Sequence, residues 1–265
     1  GRVVFLQPVD WKTGWPVMGN DKDGDGCGEP YLTYRIPKST SKVKMNPQES
    51  DEFNSTELGL QWQWHANYNQ LWGMPTNNDC LRLYTADLTA TDEAGKPLPF
   101  KSLWQAGNLL LQKTPAKDFT ATAKIRFASK EDDQYGGVIM MGRDYQALVV
   151  RRMGDNFLLQ QLSCKDAQLG SIENAKTLVT FRPSQKDPIP SSPAIYLDIY
   201  LQQKMKDGRC QFAYSLDGKR YKKAGDFFIL RQGKWIGAKM GFVSERKNTK
   251  GNRGWIDADW FRVTR

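Results

Sequence analysis

The sequence has one histidine, four cysteines and no apolar run approaching the roughly 20 residues that a membrane-spanning helix needs. The single histidine, His65 in Gln61-Trp62-Gln63-Trp64-His65, has no nucleophile nearby in sequence and sketches no catalytic triad. Its place just after an aromatic stretch suggests a packing or surface role. Cys27, Cys80, Cys164 and Cys210 lie far apart and show no CxxC spacing, which argues against zinc or redox chemistry. Spacing leaves open whether they are free or bridged. A 3.6-residue apolar period is absent, so helix is not expected. No N-terminal signal segment is present either. The chain opens at Gly1-Arg2-Val3-Val4-Phe5, as a piece of something longer would, and that absence says little about location.

What is plentiful is aromatic surface: nine Trp, ten Tyr and twelve Phe in 265 residues. With 39% hydrophobic residues the chain can build one large β domain and an appendage. Flat apolar rings fill sandwich cores and also stack on sugars, and core packing must account for most of them. The net charge of +9 raises nucleic acid as a partner. The 38 basic and 29 acidic residues alternate along most segments, however, which favours neither nucleic acid nor a membrane. The one local concentration, Glu245-Arg246-Lys247-Asn248-Thr249-Lys250-Gly251-Asn252-Arg253, is expected to be a solvated loop.

Three zones follow one another. Residues 1–37 are dense in Trp, Gly, Pro and Asp; residues 38–50 are polar and Pro-bearing, as in a linker; from Asp51 onward the pattern is that of strands. In Phe119–Phe127 the odd positions are Phe, Ala, Ala, Ile and Phe and the even ones Thr, Thr, Lys and Arg, so one face is buried and one wet. In residues 194–201, Ile195, Leu197, Ile199 and Leu201 face one way and Tyr196, Asp198 and Tyr200 the other. That second face is a candidate sugar-binding surface, or tyrosines that merely cover a sheet. Asp207-Gly208 and Asp217-Gly218 are hairpin signals. Further strands are expected near 108–113, 135–141, 145–153, 156–164, 176–181, 209–215, 237–244 and 255–263. So many short strands make an all-β sandwich or barrel.

Asp21-Lys22-Asp23-Gly24-Asp25-Gly26-Cys27-Gly28-Glu29 matches the first half of a calcium loop, with carboxylates at alternate positions and then glycine. Position twelve is Leu32 and not the bidentate Glu, so this is no complete EF-hand; Glu29 offers a substitute from position nine. Asp21, Asp23, Asp25 and Glu29 are therefore candidate calcium ligands, with a metal-free acidic turn as the other reading. Asn54-Ser55-Thr56 is a glycosylation sequon by pattern alone. A glycosidase needs two carboxylates flanking the scissile bond. Glu49-Ser50-Asp51-Glu52-Phe53-Asn54 ends in Asn where a catalytic Glu-x-Asp-x-x-Glu strand would carry its last acid, and Asp257 with Asp259 lacks a third carboxylate.

Asp51-Glu52-Phe53-Asn54-Ser55 and Leu58-Gly59-Leu60-Gln61-Trp62-Gln63-Trp64 resemble the opening of the C-terminal sandwich of glycoside hydrolase family 43 β-xylosidase-like enzymes. The resemblance continues in order through Leu81-Arg82-Leu83-Tyr84, Asn108–Lys113, Tyr135-Gly136-Gly137-Val138, Tyr214–Gly218, Gly237–Phe242 and Ala258-Asp259-Trp260-Phe261. Gly1–Trp11 and Gly14-Trp15-Pro16-Val17 resemble the last segment of that family's five-bladed propeller. The resemblance implies a concanavalin A-like two-sheet sandwich (jelly roll) over residues 48–265, preceded by a propeller segment and linker over 1–47. The family's catalytic carboxylates lie earlier in the propeller, so what is implied is an accessory domain that buttresses that propeller. It also implies that Trp235, in Gly233-Lys234-Trp235-Ile236-Gly237, helps close the sugar pocket on a xylo- or arabino-oligosaccharide. A parent enzyme secreted to the periplasm or beyond follows from the same resemblance. Two alternatives stay open: a binding module for plant polysaccharide using Tyr196, Asp198 and Tyr200, and a hydrolase complete in this chain.

Overall fold

Alternation becomes pairing almost everywhere the sequence carries it. The computed structural model describes residues 4–35, 38, 46–91, 94–183, 194–233, 235–247 and 251–265. The chain divides into two units, residues 2–46 and 47–265. In the smaller, β1 (Val9–Asp10) and β2 (Val17–Met18) form a hairpin, extended by a bridge between Asn20 and Glu29. The side-chain amide of Gln7 and the backbone of Tyr31 exchange two hydrogen bonds of 3.1 and 2.9 Å. Among its described hydrophobic residues only Val17 is buried, while Phe5, Trp11, Trp15 and Leu32 stand exposed. Most of the segment expected to be a linker, residues 39–45, lies outside the described residues.

The larger unit starts with short strands: β3 (Gln63–Trp64), β4 (Gly73–Pro75), β5 (Leu81–Tyr84), β6 (Ala86–Asp87), β7 (Ala90–Thr91) and β8 (Pro97–Leu98). Then come β9 (Leu110–Lys113), β10 (Phe119–Ser129), β11 (Gln134–Met141), β12 (Tyr145–Met153), β13 (Asn156–Cys164) and β14 (Asn174–Phe181). The last are β15 (Ile195–Lys206), β16 (Arg209–Ser215), β17 (Lys222–Ile229), β18 (Lys239–Arg246) and β19 (Trp255–Thr264). Two sheets result. One has seven strands in the order β17-β16-β15-β10-β19-β5-β4; the other runs β14-β13-β12-β11-β18-β9-β3, with β6 added in parallel beside β18 as its eighth. The remaining neighbours within both sheets are antiparallel. The only helical turns among the described residues are 3-10, at Leu103–Gln105 and Ala167–Leu169.

The alternating segments behave as their patterns require. Phe119, Ala121, Ala123, Ile125 and Phe127 on β10, and Leu197, Ile199 and Leu201 on β15, all enter the core between the sheets. Asp207 and Gly208 take φ of 50° and 73°, the left-handed pair that a two-residue turn between β15 and β16 needs. Asp217-Gly218 sits instead in a longer loop, where the Asp217 carboxylate accepts the N–H groups of Lys219 and Arg220. The core's ring cluster joins both sheets: Phe242 on β18 and Phe261 on β19 have centroids 5.5 Å apart, and Trp62 packs on both. A second apolar cluster lies on the opposite face of the eight-stranded sheet, where Leu103 and Ala106 cover Leu109, Tyr135, Ile139 and Tyr145.

Two expectations are corrected here. β17 carries no clean alternation and was not expected as a strand; Lys222, Lys223 and Gly225 hide its apolar positions Ala224 and Phe228, which are buried. The charged run from Glu245 is not wholly a solvated loop. Glu245 and Arg246 close β18, paired to Tyr135 and Gln134 of β11, and both are buried. Residues 248–250 of that run lie outside the described residues. Among the described residues neither Glu245 oxygen has a hydrogen-bond donor, the nearby Asn108 amide donating to Ser244 O. Burial pushes its carboxyl well above the ordinary value of 4.5, against a weaker pull from the Asn108 amide. The unfolded chain ionises first, so the folded state loses stability as pH rises from 4.5 upward. Glu245→Gln is expected to raise Tm at pH 8 by roughly 2–4 °C, the response of a domain this size to ~1 kcal/mol, and to have no effect near pH 4. Melting curves across that range check it.

Candidate functional site

Trp235 stands on the connection from β17 to β18. The connection is pinched by a bridge in which Gly233 N–H donates to Gly237 O at 2.8 Å, with Gly237 at φ 77°. The loop's root is Arg231. Its guanidinium grips the Asp144 carboxylate with two hydrogen bonds and reaches Asp166 Oδ1 at 2.9 Å, which also accepts from Arg143 Nε at 2.9 Å. Asp166 N–H donates to Asp144 Oδ1 at 2.6 Å, and Arg143 N–H to Arg231 O at 2.9 Å. Gly142 is required here: a Cβ would lie 1.9 Å from Arg231 O. Three segments distant in sequence are thus cross-tied at the root of the connection that carries Trp235, 53% exposed, and Ile236, 49% exposed.

The electrostatics match the geometry. Burial pulls the Asp144 carboxyl upward, but the Arg231 guanidinium and the Asp166 N–H outweigh it and hold the carboxyl below its ordinary value of 3.8. The corner therefore contributes its full stability above that value and loses it as pH falls below. Arg231→Gln is expected to speed proteolytic cleavage within residues 232–237 several-fold at pH 7, whereas Arg126→Gln, which roots no loop, leaves that rate unchanged. Limited proteolysis with mass detection checks both.

Tyr196, Asp198 and Tyr200 do share the outer face of the seven-stranded sheet, as alternation predicts. Asp198 forms a two-point ion pair with Arg126, at 2.7 and 2.9 Å, and the same guanidinium lies over Tyr196, 4.5 Å from its centroid. Tyr200 leans on Trp260 at 5.9 Å, and the turn at Gly218 comes so close that a Cβ there would meet the Tyr200 ring at 2.8 Å. The pattern extends along the face: Arg82 covers Trp255, Arg253 covers Tyr84 and Arg262 covers Trp260. Guanidinium groups therefore already occupy ring faces that a sugar would use.

The carboxylates weighed for acid–base work are all engaged in holding the sandwich. Asp51 accepts from Trp62 Nε1 at 2.9 Å, Gln61 Nε2 at 3.1 Å and Phe53 N–H at 2.9 Å. Glu52 pairs with Arg262, Glu49 with Arg265, Asp257 with Arg82 and Asp259 with Lys124. His65 is half-buried, its Nε2 3.2 Å from Trp104 O and its ring edge-on to Trp104. Burial lowers its pKa. All four cysteines are free thiols, with Cys164 and Cys210 buried.

In the smaller unit Asp21, Asp23 and Asp25 bring one carboxylate oxygen each to within 4.8 Å of the others, and Glu29 is not in that group. Hard oxygen donors suit calcium, which takes six to eight of them. The same carboxylates cap their own loop: Asp21 accepts from Gly24 and Gly26 N–H at 2.8 and 3.0 Å, and Asp25 from Cys27 N–H at 2.7 Å. On their own they do not assign an ion. Calcium titration followed by Tm separates the readings, since a bound ion raises Tm with concentration by mass action and a self-capped turn leaves it unchanged.

The two facing sheets, antiparallel apart from the β6–β18 pair, define a concanavalin A-like sandwich as the class of protein. Residues 50–264 match the family "Beta xylosidase C-terminal Concanavalin A-like domain", and the chain belongs to that family. It is 28% identical over 272 residues to a beta-xylosidase of Formosa agariphila, covering 98% of this chain and 42% of that protein. It is 27% identical over 171 residues to a non-reducing end alpha-L-arabinofuranosidase of Bacteroides ovatus, covering 63% of this chain and 29% of that protein. The fold is shared with the family 43 protein BlXynB of Bacillus licheniformis, at a TM-score of 0.63 and 20% identity over 97% of this chain and 46% of the other. A xylan beta-1,4-xylosidase of Bacillus halodurans aligns at 0.63 and 15%, over 98% and 46%. The chain thus spans less than half the length of these relatives. No helix among the described residues is long and apolar enough to cross a membrane.

Proposed function

We propose that this chain is the accessory sandwich of a family 43 glycosidase of the β-xylosidase or α-arabinofuranosidase type, and that it buttresses a catalytic propeller and helps close its sugar pocket through Trp235. The observation that carries the reading is the cross-tied corner of Arg231, Asp144 and Asp166, which anchors one end of the connection that carries the exposed Trp235 and Ile236. An indole stacks on a pentose face, and a wall that excludes water strengthens the electrostatics of a glycosidase pocket. The chain's span of 42% of the beta-xylosidase it matches leaves room there for a separate catalytic domain. The exposed Phe5, Trp11 and Trp15 of residues 2–46 suit a segment whose apolar faces are covered by neighbouring propeller strands. The covered ring faces around Tyr196 and Tyr200 favour this reading over a neutral-xylan binding module.

In the enzyme that contains this chain, Trp235→Ala is expected to lower kcat/KM on aryl xylosides or arabinofuranosides about tenfold, the effect of ~1.4 kcal/mol, with Trp235→Phe retaining most activity. Unchanged kinetics in Trp235→Ala would remove the pocket role.

A further inference from the structure

Charge is balanced over most of the outer face of the seven-stranded sheet and unbalanced at one edge. Arg82, Lys124, Arg126 and Arg262 each meet a carboxylate, as described above. Toward β17 the pattern changes. Lys204 and Lys206 on β15, Arg209 on β16 and Lys223 on β17 are all exposed, and none makes an ion pair with a described residue. Their register places them on one face: Lys206 opposes Arg209, Lys204 opposes Gln211, and Lys223 opposes Ala213. Lys204, Lys206 and Arg209 outnumber Asp207, the carboxylate that lines the same groove, and their mutual repulsion is a cost that an anionic partner relieves.

The edge is also shaped. Lys204, Lys206, Asp207, Arg209, Gln211 and Phe227 line a groove of about 490 Å³. Phe227 is 57% exposed even with the Arg209 guanidinium 5.3 Å from its centroid, whereas Tyr196 under Arg126 is buried. Gln211 is fixed in a β-bulge, its Nε2 donating to the carbonyls of Phe212, Ala224 and Gly225 at 3.0, 3.3 and 3.3 Å. That leaves its amide oxygen as an acceptor for a hydroxyl. An exposed aromatic ring, a hydroxyl acceptor and flanking cations are the complement of one chemical class. A pyranose ring stacks through its C–H face, its hydroxyls donate, and a ring carboxylate meets Lys or Arg.

We propose that this edge of the sandwich binds an acidic glycan, one carrying uronate residues. The contact is additional to the Trp235 role and independent of it, since none of these residues belongs to the Arg231 corner. A polyphosphate backbone fits less well: among the described residues no row of further exposed rings continues from Phe227 along the sheet to stack successive bases.

The test is affinity electrophoresis of the 265-residue chain. The gels contain polygalacturonate or glucuronoxylan, the same polymers after carboxyl reduction, neutral arabinoxylan, or duplex DNA. Retardation is expected with the uronate polymers only. Lys204→Gln with Arg209→Gln, and separately Phe227→Ala, are expected to weaken it about tenfold, equal to ~1.4 kcal/mol, with Tm unchanged because all three residues are exposed. Lys22→Gln with Lys165→Gln removes the same charge elsewhere and is expected to leave retardation intact. Equal retention by the reduced polymer or by DNA, equal weakening in that control pair, or wild-type retention in the groove variants would each overturn the proposal.

Discussion

Four rings where the two sheets meet the entering chain carry the geometry of the sandwich. Phe242 belongs to one sheet and Phe261 to the other, and Trp62 and Phe53 arrive from the segment that opens the domain. Edge and tilted contacts at 5.3 to 6.1 Å bury large apolar area while satisfying the quadrupoles of the rings. Asp51 fixes the cluster from outside by accepting from the Trp62 indole, the Gln61 amide and the Phe53 backbone. Its own backbone pairs with Phe261, so one residue ties the domain's first segment to its last strand. A carboxylate used in this way is a structural fastener.

Double burial of the eight-stranded sheet follows from that arrangement. Its inner face meets the seven-stranded sheet and its outer face is covered by the segment around Leu103, so charge placed in it is penalised, as at Glu245. The seven-stranded sheet is left with the open face, and its polar residues are organised accordingly. Cations there pair with carboxylates and lie over aromatic rings, which keeps a broad exposed sheet hydrated and its rings covered. The β17 edge departs from that order, with cations that make no ion pair with a described residue and, in Phe227, a ring that stays 57% exposed under its arginine; this is the surface proposed to meet an anion.

The two proposed roles fall on two places that share no residues. The Arg231 corner presents an indole and suits a partner domain whose sugar pocket needs a wall. The β17 edge suits a polymer that approaches from solvent. A domain combining them would both complete an active site and hold acidic substrate near it, raising the local concentration of polymer by tethering.

The all-β class and the positions of the long strands were legible in the sequence, because period-two alternation is local and each of β10 and β15 states its own inward face; alternation alone left sandwich and barrel open, and the two-sheet sandwich was implied by the family resemblance. The β15–β16 hairpin was legible for the same reason, since Asp207-Gly208 carries its turn in two residues. β17 was not, because its polar residues conceal a strand that exists only through pairing with β16. Trp235 could be named from a resemblance, but the corner at the root of its connection joins residues 144, 166 and 231, and no linear signal connects them. The sharing of one face by Tyr196, Asp198 and Tyr200 was a matter of sequence; what covers them was not. Cross-strand register brings Arg126 to Asp198 across a hydrogen-bonded ladder, and leaves Lys204 and Arg209 without any such partner. Local pattern therefore determined which way each side chain points, and only tertiary pairing decided which charges are neutralised, because ion pairs form between strands that the sequence holds far apart.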